Sequence, residues 1–168
     1  MVGGIHYEDP FATPVEKREP WRRLRGRLAS PVTLWTSGSR EARTGLTISS
    51  VVVADGQPPS VLGLMKDTSD LFASIQESGR FVVHVVERDD RALADRFAGL
   101  RPSPGGLFAG EEVEDSEWVP VLTRLVNRAY CRFVSERAAG YQRLVEGTIE
   151  QIDLDELESP LVLFRGRY

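Results

Sequence analysis

Short runs of β-branched and aromatic residues, separated by glycine, proline or acidic residues, recur along most of this 168-residue sequence. Such runs are typical of β-strands. Seven are present, at residues 32–36, 45–54, 61–65, 81–86, 127–136, 142–152 and 161–165. They do not alternate regularly with helical patterns, which argues against a parallel sheet built from β-α-β units. The sequence therefore predicts an all-β, closed or nearly closed antiparallel barrel.

Three short helical patterns interrupt the strands. Residues 69–78 place Leu71, Phe72 and Ile75 on one side, with Thr68 or Ser69 as the cap and Gly79 as the stop. A second pattern at residues 89–98 has Asp89 or Asp90 as its cap. A third follows Pro20, carries arginines on its other faces and is expected to end at Pro31.

The length fits one domain. We expect residues 1–20 to form an extended N-terminal arm, because they contain glycines and prolines and little periodicity, and residues 21–168 to form the folded domain. Residues 101–115 are rich in glycine and proline and predict a long loop. The five acidic residues within 111–117 are expected to be solvated.

Composition excludes several classes of function. A net charge of −4 argues against nucleic-acid binding, and no apolar run is long enough to span a membrane. One cysteine and two histidines allow no internal disulfide and leave little for a metal site. Cys131 and His84 lie in apolar strands and predict a buried thiol and a core histidine. The N-terminus does not resemble a signal peptide, so a cytoplasmic location is expected.

Hydroxyl side chains are unusually dense in two strand segments that could be neighbours. They include Thr33, Thr36, Thr47, Ser49 and Ser50. Period-2 alternation places Thr47 and Ser49 on one face, and buried hydroxyls require hydrogen-bond partners. A planar polar ligand or a phosphate would satisfy them. The alternative is that these threonines are ordinary strand residues that face water.

A second polar cluster lies just before the helix at residue 69. It consists of Lys66, Asp67, Thr68, Ser69 and Asp70. Lys66 is one of only two lysines, and a helix N-terminus offers free N–H groups and a positive dipole end. The cluster therefore suits a phosphate. The two aspartates favour the alternative, plain helix capping, because they repel phosphate.

The order of these features resembles the flavin reductase-like family, the FMN-binding split barrel. The resemblance covers about residues 21–168. Its motifs are at residues 28–33 (LASPVT), 45–50 (GLTISS), 58–59 (PP), 64–68 (LMKDT), 78–83 (SGRFVV), 93–99 (LADRFAG), 130–131 (YC) and 160–163 (PLVL), with Gly166 and Tyr168. No single motif is specific, but their order and spacing together are.

The resemblance implies an antiparallel split β-barrel with a few short peripheral helices, which forms a homodimer and binds FMN, or FAD, near the subunit interface. The segments containing Thr33, Trp35 and Thr36, and Thr47, Ile48, Ser49 and Ser50, would flank the isoalloxazine and ribityl chain. Lys66, Asp67, Thr68 and Ser69 would hold the phosphate. The implied activity is reduction of flavin by NADH or NADPH, often to supply a separate monooxygenase. Hydride transfer to flavin N5 needs an aligned stack at about 3 to 3.5 Å and little side-chain chemistry.

Two positions depart from the family pattern. Gly140, Tyr141 and Gln142 stand where the family often has Gly-Asp-His, with the histidine near the nicotinamide. Gln142 is thus the candidate nicotinamide contact, although it cannot carry the histidine's charge. Asp70 stands where the family usually has threonine. The alternative functions are a flavin-binding module or electron carrier without efficient NAD(P)H turnover, and a deazaflavin-using relative.

Overall fold

The computed structural model describes residues 19–116 and 119–168. The helices are α1 (Pro20–Arg27), α2 (Asp70–Ser78) and α3 (Arg91–Phe97), the last preceded by a 3-10 turn at Arg88–Asp90. The strands are β1 (Ser30–Pro31), β2 (Thr33–Ser37), β3 (Thr44–Ile48), β4 (Val51–Ala54), β5 (Ser60–Met65), β6 (Arg80–Val85), β7 (Val113–Asp115), β8 (Pro120–Leu122), β9 (Arg128–Ala139), β10 (Gln142–Asp153) and β11 (Val162–Leu163). The predicted N-terminal arm lies outside the described residues, except for Glu19 and Pro20.

Seven strands form one antiparallel sheet in the order β3-β2-β6-β9-β10-β5-β4. Its two edge strands, β3 and β4, are separated in the chain only by Ser49 and Ser50. The sheet therefore curls until its edges meet at this link, where the amide of Leu64 donates to the carbonyl of Ser50 at 3.0 Å. This curled half-barrel confirms the predicted all-β split barrel with short peripheral helices.

The sequence pattern predicted one strand at residues 45–54, and this was wrong in detail. The chain bends at Ser49 and Ser50, so that β3 pairs with β2 while β4 pairs with β5. One straight strand could not lie at both edges of the sheet. The predicted pairing of the two hydroxyl-rich segments is confirmed, with Thr33 opposite Ile48 and Leu34 opposite Thr47.

The interior of the half-barrel is built on two stacked aromatic rings. Trp35 and Phe81 lie 4.9 Å apart between ring centroids, with an angle of 9° between their planes. A Cβ added to Gly63 would lie 2.6 Å from the Trp35 ring, and one on Gly147 would lie even closer to the Phe81 ring. Glycine on β5 and β10 thus lets the rings lie against the strand backbone. Cys131 is buried in the same cluster, as predicted.

A second apolar layer covers the outer side of β2 and β6. There α3 contributes Leu93 and Phe97, and β8 contributes Val121, which packs near Val82 of β6. Contacts of α2 and α3 with the sheet fall mainly on β2, β3 and β6. The outer face of β4, β5 and the β9–β10 hairpin instead carries exposed apolar side chains, among them Val52 and Val134.

The helix predictions differ in outcome. For α2, Ser69 is the cap, as its hydroxyl accepts the amide of Phe72 at 3.2 Å, and Gly79 ends the helix with φ of 69°. Asp90 occupies the cap position of α3 without a capping bond, because Arg124 binds its carboxylate. α1 ends at Arg27, earlier than predicted, and the chain enters β1 before Pro31.

The acidic run at residues 111–117 is only partly solvated. The side chain of Glu111 is 7% exposed and lies between Arg96 and Arg124. This burial is compatible with charge because both guanidinium groups accompany the carboxylate. Asp115 belongs to β7 and binds Arg43 at 2.6 Å. Strands β7 and β8 were not predicted, since their three-residue lengths give no periodicity.

Candidate functional site

One end of the curled sheet brings together the separate segments that the sequence singled out. Met65, the last residue of β5, pairs with Arg143 of β10, and Gln142 begins β10 opposite Ala139. Lys66 follows Met65 directly and therefore lies beside Gln142. The Ser49–Ser50 link is at the same end, held to β5 by the Leu64 amide. Three of the predicted site segments thus converge, although Ser49 and Gln142 are 93 positions apart in the sequence.

The outer face of the sheet at this end carries an apolar row. Leu64 lies directly opposite Leu144, and Leu144 lies opposite Arg137. Gly63 faces the interior against Trp35, so its neighbour Leu64 faces outward, and residues directly opposite share a face. Leu64 and Leu144 are partly exposed. We call these two side chains the Leu64–Leu144 platform.

Polar groups border this platform. Ser50 lies at its β4 side, Lys66 and Gln142 at the end of the sheet, and Arg137 at its β9 side. Gln142 and Leu144 share a face because they are two residues apart in β10. The arrangement is a flat apolar surface of two leucines edged by a hydroxyl, an amide and two cations. Such a surface suits an aromatic ring system that carries polar edges and phosphate.

The loop before α2 combines an exposed cation with a helix N-terminus. Lys66, Asp67 and Thr68 are exposed. The Ser69 hydroxyl donates to the Lys66 carbonyl at 2.8 Å and accepts the Phe72 amide. Ser69 is therefore committed to the cap, as the capping alternative predicted, while Lys66 remains available to an anion beside the positive end of the helix.

Most predicted hydroxyl groups already have protein partners. Thr33 donates to the Ile48 carbonyl at 2.7 Å and accepts from the Trp35 indole at 3.0 Å. Thr36 donates to Pro120 at 2.6 Å, and Thr47 donates to Ala94 of α3 at 2.7 Å. These bonds satisfy the groups without a ligand.

Burial separates the predicted contacts into two sets. Thr33, Trp35, Thr36 and Ile48 are buried, whereas Thr47, Ser49 and Ser50 are partly exposed. Contact of the buried residues with a ligand stays a prediction. Their observed bonds fix β2 against β3 and so position the Ser49–Ser50 link.

An ion pair supports the inner side of the same end. Arg143 faces the interior opposite Ala138 and binds Glu136 through two hydrogen bonds, one of them at 2.6 Å. The guanidinium lowers the pKa of the Glu136 carboxyl through these bonds. The pair is charged at neutral pH and stiffens the β9–β10 hairpin that presents Gln142.

Leu64, Leu144 and Arg137 were not among the site residues predicted from sequence. A leucine within a strand is more typical of a core position than of a ligand-binding one. Only the register of β5 against β10 shows that both face outward at the end of the sheet. Their spacing in the chain carries no such signal.

Residues 25–168 match the family described as "Flavin reductase like domain". The chain belongs to the flavin reductase-like family. The match begins within α1 and includes every strand and helix that forms the platform and its border.

Curated relatives of this flavin reductase-like chain include reductases of named systems. The reductase component of a 4-nitrophenol and 4-nitrocatechol monooxygenase from Rhodococcus opacus is 28% identical, over 96% of this chain and 86% of the relative. An FMN reductase (NADH), RutF, from Methylorubrum extorquens is 26% identical, over 94% of this chain and 76% of the relative.

Solved structures agree with the architecture. The flavin reductase PheA2 superimposes with a TM-score of 0.79 at 26% identity, covering 88% of this chain and 94% of that one. The NADH:FAD oxidoreductase SgcE6 from Streptomyces globisporus, solved with NAD and FAD fragments, has a TM-score of 0.79 at 20% identity and covers 93% of both chains. At that identity the likeness shows the fold.

Proposed function

We propose that this chain is a flavin reductase that uses NADH or NADPH to reduce FMN, or FAD in its place. The observation that carries the proposal is the outward-facing Leu64–Leu144 platform, bordered by Lys66 and Gln142 at the end of the sheet where the family motifs converge. The FMN reductase (NADH) relatives and the reductase components of monooxygenases support it.

The residues at this end fit a flavin. The platform offers an apolar surface to one face of the ring system, Ser49 and Ser50 offer hydroxyls along its edge, and Lys66 offers a cation to the phosphate. We assign Thr47, Asp67 and Thr68 to the same site, while Thr33, Trp35, Thr36, Ile48 and Ser69 position it through the bonds described above. Flavin, when bound, supplies the two-electron chemistry by accepting hydride from the reduced nicotinamide.

The protein's contribution is binding and orientation. The platform excludes water from one side of the reacting rings, and Gln142 offers an amide to the nicotinamide carboxamide. Cys131 and His84 are buried in the interior, and burial raises the pKa of the Cys131 thiol to about 12. Both side chains therefore serve packing, and the proposal gives neither a chemical role.

Flavin binding and turnover can be measured separately. Purified protein titrated with FMN should quench flavin fluorescence and then oxidise NADH or NADPH with FMN as acceptor. Tight FMN binding without NAD(P)H oxidation would favour the electron-carrier alternative. Binding only of a deazaflavin would favour the alternative of a deazaflavin-using relative.

A separate monooxygenase is the proposed consumer of the reduced flavin, as for the relatives from monooxygenase systems. No helix in the described part of the chain is long and apolar enough to cross a membrane.

We further propose a homodimer in which a second copy covers the row of the outer face that runs from Val52 of β4 to Val134 of β9, next to the Leu64–Leu144 platform, which stays open to ligands. The strands at residues 81–86 and 130–134 are strongly apolar, but Val82 and Tyr130 are covered by Val119 and Val121 of the same chain. On the outer face of the sheet, Val52 and Val134 are uncovered apolar side chains, 63% and 54% exposed.

Light scattering is expected to give twice the chain mass of 18.7 kDa. Val134→Glu should shift the population toward monomer, because a buried carboxylate without a partner opposes association. Val162→Glu, at an exposed valine of β11 away from this sheet, is the matched control. A mass of 18.7 kDa at all working concentrations, or equal dissociation by both variants, contradicts the proposed interface.

The departure at Gln142 leads to a prediction about turnover. If this side chain contacts the nicotinamide, Gln142→His should raise kcat/KM for NAD(P)H by about tenfold, which is about 1.4 kcal/mol, and leave FMN affinity unchanged. Gln142→Ala is the companion variant and should lower kcat/KM. Rapid turnover that neither variant changes would place the nicotinamide elsewhere.

A further inference from the structure

Four arginines of the β9–β10 hairpin differ in how they are neutralised. Arg128 binds Asp153 at 2.9 Å, Arg132 binds Glu150, and Arg143 binds Glu136. Arg137 is exposed and forms no salt bridge with any residue in the ranges 19–116 and 119–168. The hairpin thus presents one cation whose charge the described chain does not neutralise.

The register puts this cation at the border of the platform. Arg137 lies directly opposite Leu144, so both side chains leave the same face of the sheet. Gln142 leaves that face two residues before Leu144. The spacing along and between antiparallel strands places the Cα atoms of Arg137 and Gln142 about 8 Å apart. Lys66 lies across β10 from Arg137, on the β5 side of the platform.

The carboxylate diagonal to Arg137 is engaged elsewhere. Glu146 lies two residues beyond Leu144 on β10, opposite Ser135, and accepts the Ser135 hydroxyl at 3.1 Å. A guanidinium with its donors available can form two parallel hydrogen bonds to a phosphate, a geometry that lysine cannot match. The platform therefore has a cation on each side, Lys66 toward β5 and Arg137 toward β9.

We propose that Arg137 binds a phosphate of the nicotinamide dinucleotide. This inference rests on the proposed function, in which Lys66 serves the flavin phosphate and Gln142 the nicotinamide. The two ring systems would stack over the platform, and their phosphates would diverge to opposite sides of it. Arg137 is then a binding residue for the reductant and makes no contact with the flavin phosphate.

The test compares Arg137→Gln with Arg132→Gln and Arg137→Lys. Arg132 is on the same strand, five residues away, and already binds Glu150, so its replacement removes the same charge outside the platform. Arg137→Gln should raise the KM for NADH about tenfold with little change in kcat and no change in FMN affinity. It should also weaken binding of ADP-ribose, measured by calorimetry, by the same factor. Arg137→Lys should recover part of both losses.

Several outcomes would overturn the inference. These are an unchanged KM and ADP-ribose affinity in Arg137→Gln, an equal effect of Arg132→Gln, or weakened FMN binding in Arg137→Gln. A wild-type protein that binds FMN and oxidises NADH but does not bind ADP-ribose also overturns it and leaves the proposed function standing. Failure of the wild type to bind any flavin overturns the proposed function first.

Discussion

Lys66→Ala is expected to weaken FMN binding by roughly 10- to 100-fold, because charge-assisted hydrogen bonds to a phosphate contribute about 1.5–3 kcal/mol each. Lys66 is exposed at the end of β5, one residue after the strand that carries Leu64. It precedes α2, whose N-terminal end is positive. Asp67 and Asp70 lie beside it, so loss of the lysine leaves an acidic loop facing the phosphate.

Fluorescence titration of FMN measures this effect directly, and riboflavin is the informative second ligand. Because riboflavin lacks the phosphate, Lys66→Ala should change its affinity little. Arg40→Ala is the control, since Arg40 is an exposed cation in the turn after β2 that lies beside Asp115 and does not border the platform. Equal loss of FMN and riboflavin affinity, or no loss of either, would show that Lys66 does not bind the phosphate.

The strands and α2 were predictable because their signals are local. Runs of β-branched and aromatic residues located β5, β6, β9 and β10 within a few positions, and Ser69 and Gly79 marked the ends of α2. The bend at Ser49 and Ser50 was not predictable. It exists because the sheet curls until its edges meet, and curling is a property of seven strands together.

The candidate site brings together segments that the sequence singled out, while its individual side chains were harder to predict. Lys66 and Gln142 meet because β5 pairs with β10, a pairing that only the structure shows. The hydroxyl-rich strands had an ambiguous meaning in sequence, and the structure shows why. Thr33, Thr36 and Thr47 donate to backbone carbonyls of distant segments, which no local pattern reveals. Leu64 and Leu144 were indistinguishable from core residues until the register was known.

His84 gives a prediction about stability in acid. The side chain is fully buried, with Nδ1 3.0 Å from the Leu34 carbonyl and Nε2 accepting the Leu122 amide at 3.2 Å. The neutral ring with its proton on Nδ1 satisfies both contacts and ties β6 to β2 and β8. Burial, the main cause, and the charge of Arg128 lower the pKa of His84 to about 4, while the Leu34 carbonyl acts in the opposite direction.

Because the pKa of His84 is lower in the folded chain than in the unfolded chain, where it is about 6.5, the unfolded chain binds an extra proton between these values. The free energy of unfolding should therefore fall as the pH drops below about 6.5, and the loss should approach about 3 kcal/mol near pH 4. Acidic groups with lowered pKa values, such as Asp153, add a loss at lower pH.

Urea unfolding followed by circular dichroism between pH 7 and pH 4 isolates the histidine when the wild type is compared with His84→Gln. Glutamine cannot take up the proton, so the variant should be less stable at pH 7 and should lose less stability on acidification. The difference in unfolding free energy between the two proteins should shrink as the pH falls, because the carboxylates are common to both. A difference that stays constant over this range would mean that His84 is protonated in the folded chain at no greater cost than in the unfolded one, and that the buried ring is not the acid-sensitive element of the core.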